Sequence, residues 1–176
     1  MQQKEEFERT ILAHLNAAYN LARWLTRRDA DAGDVVQEAC VRAFRHFNSF
    51  RGVDSRAWLL AIVRNTCYTW LRRNRSVELS SDTDLDLLET RDPSAGPEEQ
   101  LQQRANQEDL RKSMDEMPLE FREILVLREL EGLTYKEICA VTTLPMGTVM
   151  SRLSRARDRL QESLRRRLSG ETRHGM

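Results

Sequence analysis

Apolar residues recur along much of this chain at spacings of three and four. Phe7, Ile11, Leu12, Leu15, Tyr19, Ala22 and Leu25 form the first such series, and it predicts an amphipathic helix over about 4–27. The segment RRDADAGD interrupts it, and Asp31 or Asp34 is placed to cap a second helix. The stripe of that helix is Val36, Ala39, Cys40, Ala43, Phe44 and Phe47. At roughly 100° per residue, Asp34, Glu38, Val41, Arg42 and Arg45 fall on its other side, with Gln37 nearer the edge. FNSFRGVDS reads as a turn. A third helix over about Arg56 to Arg73 turns Leu59, Ile62, Val63, Thr66 and Trp70 one way and Arg64, Asn65, Tyr68 and Arg72 the other.

The second half continues in helices. Leu101 to Met114 forms one, and Leu119 to Leu130 forms another, opened by Pro118 and ended by Gly132. Thr134 and Glu137 then make the Thr-x-x-Glu capping-box pattern for a short helix over 134–140. Val141 to Leu144 is a turn, Pro145 stands at a first helical position, and a long helix follows. Two helices joined by so short a turn form a helix-turn-helix, whose second helix enters the DNA major groove with its N-terminal half. In that helix Val149, Leu153, Ala156 and Leu160 make the buried stripe. Ser151, Ser154 and Arg155 then lie at roughly 140–240° from it and face outward, with Arg152, Arg157 and Arg159 on the flanks. Small serines beside an arginine suit close approach to base edges, and flanking arginines suit phosphates.

Charge sharpens the division. The 28 basic and 28 acidic side chains cancel over the 176 residues. They do not cancel locally: residues 1–75 carry net +5, residues 76–100 net −7 and residues 101–176 net +2. The middle segment SVELSSDTDLDLLETRDPSAGPEE holds two Pro, one Gly and no aromatic residue. It reads as an acidic flexible linker, too poor in apolar area to offset its ordering entropy. The expectation is an all-α chain: two small helical domains, 1–75 and 101–176, joined by the linker 76–100. The basic outer parts imply a polyanion partner.

These motifs together resemble a bacterial RNA polymerase sigma factor of the sigma-70 family, in its extracytoplasmic-function group. GDVVQEACVRAFRHFNSFRG resembles the family segment that docks on core RNA polymerase, and SRAWLLAIVRNTCYTWLRRNR the segment that melts and reads the −10 promoter element. PLEFREILVLRELEGLTYKEICAVTTLPMGTVMSRLSRARDRL resembles the −35-reading domain, with Met117 before it where the family usually has Leu. The resemblance implies that Asp34, Gln37, Glu38 and Arg42 dock on core polymerase. It implies that Arg64, Asn65, Thr66, Tyr68 and Arg72 contact −10 DNA, with a loop at Asn65 that breaks the third helix and captures a flipped base. It implies that Met150, Ser151, Arg152, Ser154, Arg155 and Arg157 contact −35 DNA. The expected partners are core RNA polymerase, promoter DNA and a cognate anti-sigma factor, in the cytoplasm.

Other classes fit less well. With 7 Gly and 4 Pro the chain is too poor in turn formers for an all-β fold. The apolar run Trp58 to Val63 falls far short of the ~20 residues needed to cross a membrane, so no membrane insertion is expected. The N-terminus, MQQKEEFERT, does not read as a signal peptide. Cysteines at 40, 67 and 139 suit a reducing compartment rather than a disulfide framework. No phosphate loop, metal motif or nucleophile triad is visible in the sequence, so neither enzymatic activity nor a cofactor or metal is expected. A DNA-binding regulator that works without polymerase is the competing class. It would need a sensor or dimerisation domain where residues 1–75 instead resemble docking and melting segments.

Overall fold

The computed structural model describes residues 1–74, 94 and 96–174, and every regular element among them is helical. The first domain comprises α1 (Gln2–Leu12), α2 (Leu15–Thr26), α3 (Asp29–His46) and α4 (Ser55–Arg73). The second comprises α5 (Pro97–Asp115), α6 (Leu119–Leu125), α7 (Tyr135–Thr142) and α8 (Met146–His174). Most of the acidic stretch, 76–93 and 95, lies outside the described residues.

In the first domain α2, α3 and α4 pack mutually. Leu21, Leu25, Val35, Leu59, Leu60 and Val63 are fully buried there. The inward face of α3 is Ala32, Val35, Ala39 and Ala43, all at 0% exposure. That face is one position round from the expected stripe. Val36 and Cys40 are half-buried at its edge, and Phe44 is 40% exposed. Small alanines let α3 approach its neighbours closely, and the larger side chains are displaced to the rim.

Several expected boundaries move. The helix expected over 4–27 is two helices, parted at Ala13 and His14. No Pro or Gly breaks it; the His14 ring instead pairs with Ser55 Oγ at 3.0 Å, at the start of α4. Neither Asp31 nor Asp34 caps α3, which begins at Asp29 with Arg28 in the capping position. Asp54 does cap α4, its carboxylate accepting the Ala57 N–H at 2.9 Å. The break that the family resemblance implied at Asn65 is absent: α4 runs unbroken through it, as the periodicity alone predicts.

In the second domain α8 packs on α5, α6 and α7 around Phe121, Ile124, Leu125, Ile138, Val141, Val149 and Leu153. Helix α5 starts at Pro97, so the last residues of the expected linker are helical. After α6 the chain widens into a π-turn over Val126–Leu130, with the Glu131 N–H donating to the Val126 carbonyl at 2.9 Å. Gly132 ends it at φ 67°, a conformation that glycine adopts without steric cost. Pro145 precedes α8 rather than opening it, and its carbonyl accepts the first helical bond, from Val149 N–H at 3.0 Å.

Candidate nucleic-acid interface

The helix-turn-helix forms as its sequence predicts. The Thr134 hydroxyl accepts the Glu137 N–H at 3.2 Å, and the Glu137 carboxylate accepts the Thr134 N–H at 2.6 Å. This reciprocal box fixes where α7 begins. Thr143 ends α7 in the left-handed region, φ 59°, and its N–H donates to the Cys139 carbonyl at 2.8 Å. The turn then releases the chain into α8.

Helix α8 sorts its side chains as the angular argument requires. Val149, Leu153 and Ala156 are buried and Leu160 packs against them. Met150, Ser151, Ser154 and Arg155 are exposed, and Arg152 is half-buried. The Ser151 hydroxyl donates to the Thr148 carbonyl at 3.2 Å. The Arg155 Nε–H donates to the Ser151 carbonyl at 3.4 Å, so this guanidinium rests along its own helix. Arg157 is paired at 2.6 Å with Glu129, and both side chains are about half exposed. The hydrogen bond to Glu129 is the main reason the Arg157 guanidinium holds its proton more tightly than usual. Arg159 lies over the Phe121 ring at 4.9 Å.

On α3, Asp34 and Gln37 are exposed, and Glu38 and Arg42 are half-exposed and paired across one turn. Val41 beside them is 49% exposed, and Phe44 meets the Phe7 ring edge-on at 5.2 Å. The apolar stripe predicts Phe44 in the core, whereas it is 40% exposed. Its exposure adds an apolar element to the charged face.

The outward face of α4 differs most from expectation. Thr66 is 1% exposed and its hydroxyl donates to the Ile62 carbonyl at 2.7 Å, so it presents no surface to a ligand. Asn65 and Arg72 are exposed. Arg64 and Tyr68 are not free. The Arg64 Nε–H donates to one oxygen of Glu123, and the Tyr68 hydroxyl donates to the other at 2.8 Å. The Arg64 guanidinium also lies over the Tyr68 ring at 4.3 Å. Burial pushes the Tyr68 phenol well above its ordinary range, and the Glu123 charge adds to it. For Arg64, burial disfavours the charge, but the Glu123 hydrogen bond and charge outweigh that and hold the proton on.

Glu123 belongs to the second domain and is 1% exposed. No expectation from the sequence named it. A signal was present: Glu123 shares a helical phase with Val126 and Leu127, both buried, so it is an acid on an inward face. The contact does not stand alone. Asn20 donates to Glu131, Arg56 donates to the Glu131 carbonyl at 3.2 Å, and Arg27 donates to the Asp115 carbonyl. Helix α4 packs on α7 and α2 on α6. Where α4 meets α7, a cavity of about 590 Å³ has Phe50, Val53, Ala57 and Trp58 on one side and Lys136, Glu137 and Ala140 on the other.

The cysteines take no part in this surface. Cys67 is fully buried, and Cys40 and Cys139 are half-buried. No cluster of metal-ligating side chains occurs among the described residues, and no helix among them is long and apolar enough to cross a membrane.

Residues 10–77 match the family model for sigma-70 region 2, and residues 107–160 match that for sigma-70 region 4. The ECF RNA polymerase sigma factor SigE of Mycolicibacterium smegmatis is 31% identical over 90% of this chain and 61% of its own length. The ECF RNA polymerase sigma-E factor of Escherichia coli is 37% identical over 76% of this chain and 74% of its own. Among solved structures, the sigma factor RpoE in complex with the anti-sigma factor NepR from Bartonella quintana superposes with a TM-score of 0.72 at 28% identity. That alignment covers 92% of this chain and 98% of the other.

Proposed function

The chain belongs to the sigma-70 family of RNA polymerase sigma factors, in its extracytoplasmic-function group, and from that premise we propose that it is a promoter-specificity subunit. It binds core RNA polymerase, reads the −35 and −10 elements and helps to melt the −10 region. Residues 1–75 dock and melt, residues 101–176 read −35, and residues 76–100 connect them. The reaction belongs to the polymerase; this chain contributes recognition.

The observation that carries the reading is the outward face of α8. Met150, Ser151, Ser154 and Arg155 stand exposed over a fully buried Val149–Leu153–Ala156 stripe, immediately after a capped helix and a tight turn. A helix so mounted offers base-reading atoms to a major groove while its core contacts hold it rigid. Met150 supplies an apolar contact suited to a thymine methyl, and Arg155 a bidentate donor suited to guanine.

On the −10 side, a base must leave its stack before its pairing edge can be read, at a cost of a few kcal/mol. Asn65, exposed on α4, has an amide that donates and accepts at once. Arg64, Tyr68 and Arg72 add charge and a ring for the opened strand. Asp34, Gln37, Glu38 and Arg42 on α3 form the polymerase-docking face, with Val41 and Phe44 supplying apolar area. The relative solved with an anti-sigma factor supports a similar inhibitor as a partner of this chain. The place of action is the cytoplasm, where polymerase and chromosome are.

Capture on immobilised core polymerase, followed by run-off transcription from a promoter library, tests the proposal. Sequence-dependent transcripts that require both core and this chain are expected. DNA binding by this chain without any affinity for core would instead identify a stand-alone regulator.

A further inference from the structure

We infer that the cavity where α4 meets α7 is a binding site for a small amphiphilic carboxylate, with an apolar body against Phe50 and Trp58 and an anionic head on Lys136. None of the residues that line it belongs to the proposed polymerase or DNA contacts.

Shape carries the first half. At about 590 Å³ the cavity has the size of a small-molecule site, and such sites join apolar walls to a few convergent polar groups. The rings of Phe50 and Trp58 lie 4.8 Å apart, tilted by 36°, and make one aromatic wall. Phe47 stacks on Phe50 with centroids 6.4 Å apart, so the wall is supported before any ligand arrives. A Cβ at Gly52 would come within 2.9 Å of the Phe50 ring, so glycine there is what lets the ring lie in this position. Val53 adds a fully exposed apolar side chain. Ala57, Ala61 and Ala140 end at Cβ and leave the space open.

Charge carries the second half. Arg51, Asp54, Lys136 and Glu137 line the cavity. Both acids are engaged: Asp54 accepts the Ala57 N–H at 2.9 Å, and Glu137 accepts the Thr134 N–H at 2.6 Å with Arg56 at 4.0 Å. Arg51 donates to the Asn48 and Phe50 carbonyls of its own loop at 2.6 and 3.3 Å. Lys136 is exposed and has no hydrogen-bond or ion-pair partner among the described residues. The unmet charge is therefore positive, beside an apolar wall. A ligand that satisfies both has a hydrocarbon body and a single negative charge. A phosphate head, with more charge, would be repelled by Asp54 and Glu137, so a carboxylate suits this mixed rim better. The Lys136 ammonium, on its flexible stem, can swing to meet it.

Isothermal titration calorimetry of the full chain tests the site, with octanoate as the probe and octan-1-ol as its neutral counterpart. The wild type should bind both saturably, and octanoate more tightly. Lys136→Gln should weaken octanoate by about three- to tenfold and leave octan-1-ol unchanged. Ala140→Leu fills space that both ligands need and should weaken both alike. Positions 136 and 140 are exposed, so neither change disturbs the core, and circular dichroism checks that each variant keeps its helices. No saturable octanoate binding by the wild type up to about 1 mM overturns the inference and leaves the cavity to an apolar side chain of a protein partner. A Lys136→Gln variant that keeps full octanoate affinity, or loses both ligands alike, also overturns it, because the ammonium then pairs with no carboxylate. Unchanged binding of both ligands by Ala140→Leu overturns it too, because the ligand then sits elsewhere.

Discussion

At the scale of single residues, the proposed −35 reading gives the two arginines of α8 different tasks, base reading and anchoring. Arg155 is exposed on the outward face. Arg155→Ala should cost about 1–3 kcal/mol on the cognate −35 sequence and relax preference at one or two base pairs. Arg157 lies at the flank on Glu129, and an exposed pair of this kind is worth less than about 1 kcal/mol, so a phosphate can displace it. Arg157→Ala should weaken all sequences alike and lower the salt slope by about one unit, and Glu129→Gln should strengthen all sequences alike. Titrations of the full chain with a panel of −35 duplexes at several salt concentrations measure all three. Cys67 gives a separate test. Burial, followed by the nearby Glu123 charge, pushes its thiol from 9.0 up to about 12. Because the folded-state value is raised, the neutral thiol's contribution to stability is whole below pH 9 and is lost as pH rises toward 12. At pH 8, iodoacetamide should modify Cys67 at least about tenfold more slowly than Cys40 or Cys139, as read by peptide mass spectrometry.

At the scale of elements, the helix-turn-helix is held by two local devices of opposite sign. The Thr134–Glu137 box stabilises the start of α7, and Thr134→Ala should cost about 1 kcal/mol, read as a lower Tm. Its end is strained: Thr143 is β-branched and sits at φ 59°, a region that costs a non-glycine residue about 1 kcal/mol or more. Thr143→Gly should leave the protein as stable as before or up to about 1 kcal/mol more stable, with −35 affinity unchanged. Helix α4 illustrates a contest between two kinds of expectation. The period predicted a continuous helix; the resemblance implied a loop at Asn65. The helix is continuous because Leu59, Leu60, Val63 and Cys67 are buried at successive turns, and a break would expose them.

At the scale of the molecule, the two domains leave the proposed docking face of α3 exposed while covering part of α4. Exchanging the charges with Glu38→Arg and Arg42→Glu keeps net charge and a paired turn but inverts the pattern presented outward. Core affinity should fall by about tenfold, read by surface capture, while helicity by circular dichroism stays the same. An equal affinity would place the docking face elsewhere, with Val41 and Phe44 the next residues to substitute.

What the sequence determined by itself was local. The helical stripes, the capping box, the Gly132 stop and the outward face of α8 follow from a period of about 3.6 residues and from side chains that reach a few positions along the chain. Each is settled within one or two turns, so composition and order suffice. The tertiary structure decided what no local rule contains. It parted α1 from α2 through His14 and Ser55, turned the alanine face of α3 inward, and buried Thr66. It also carried Glu123 onto Arg64 and Tyr68, positions 59 and 55 residues away. Such pairings depend on how two separately folded surfaces fit. An acid on an inward-facing helical phase signals only that a partner is required, and the packing of the domains selects which one.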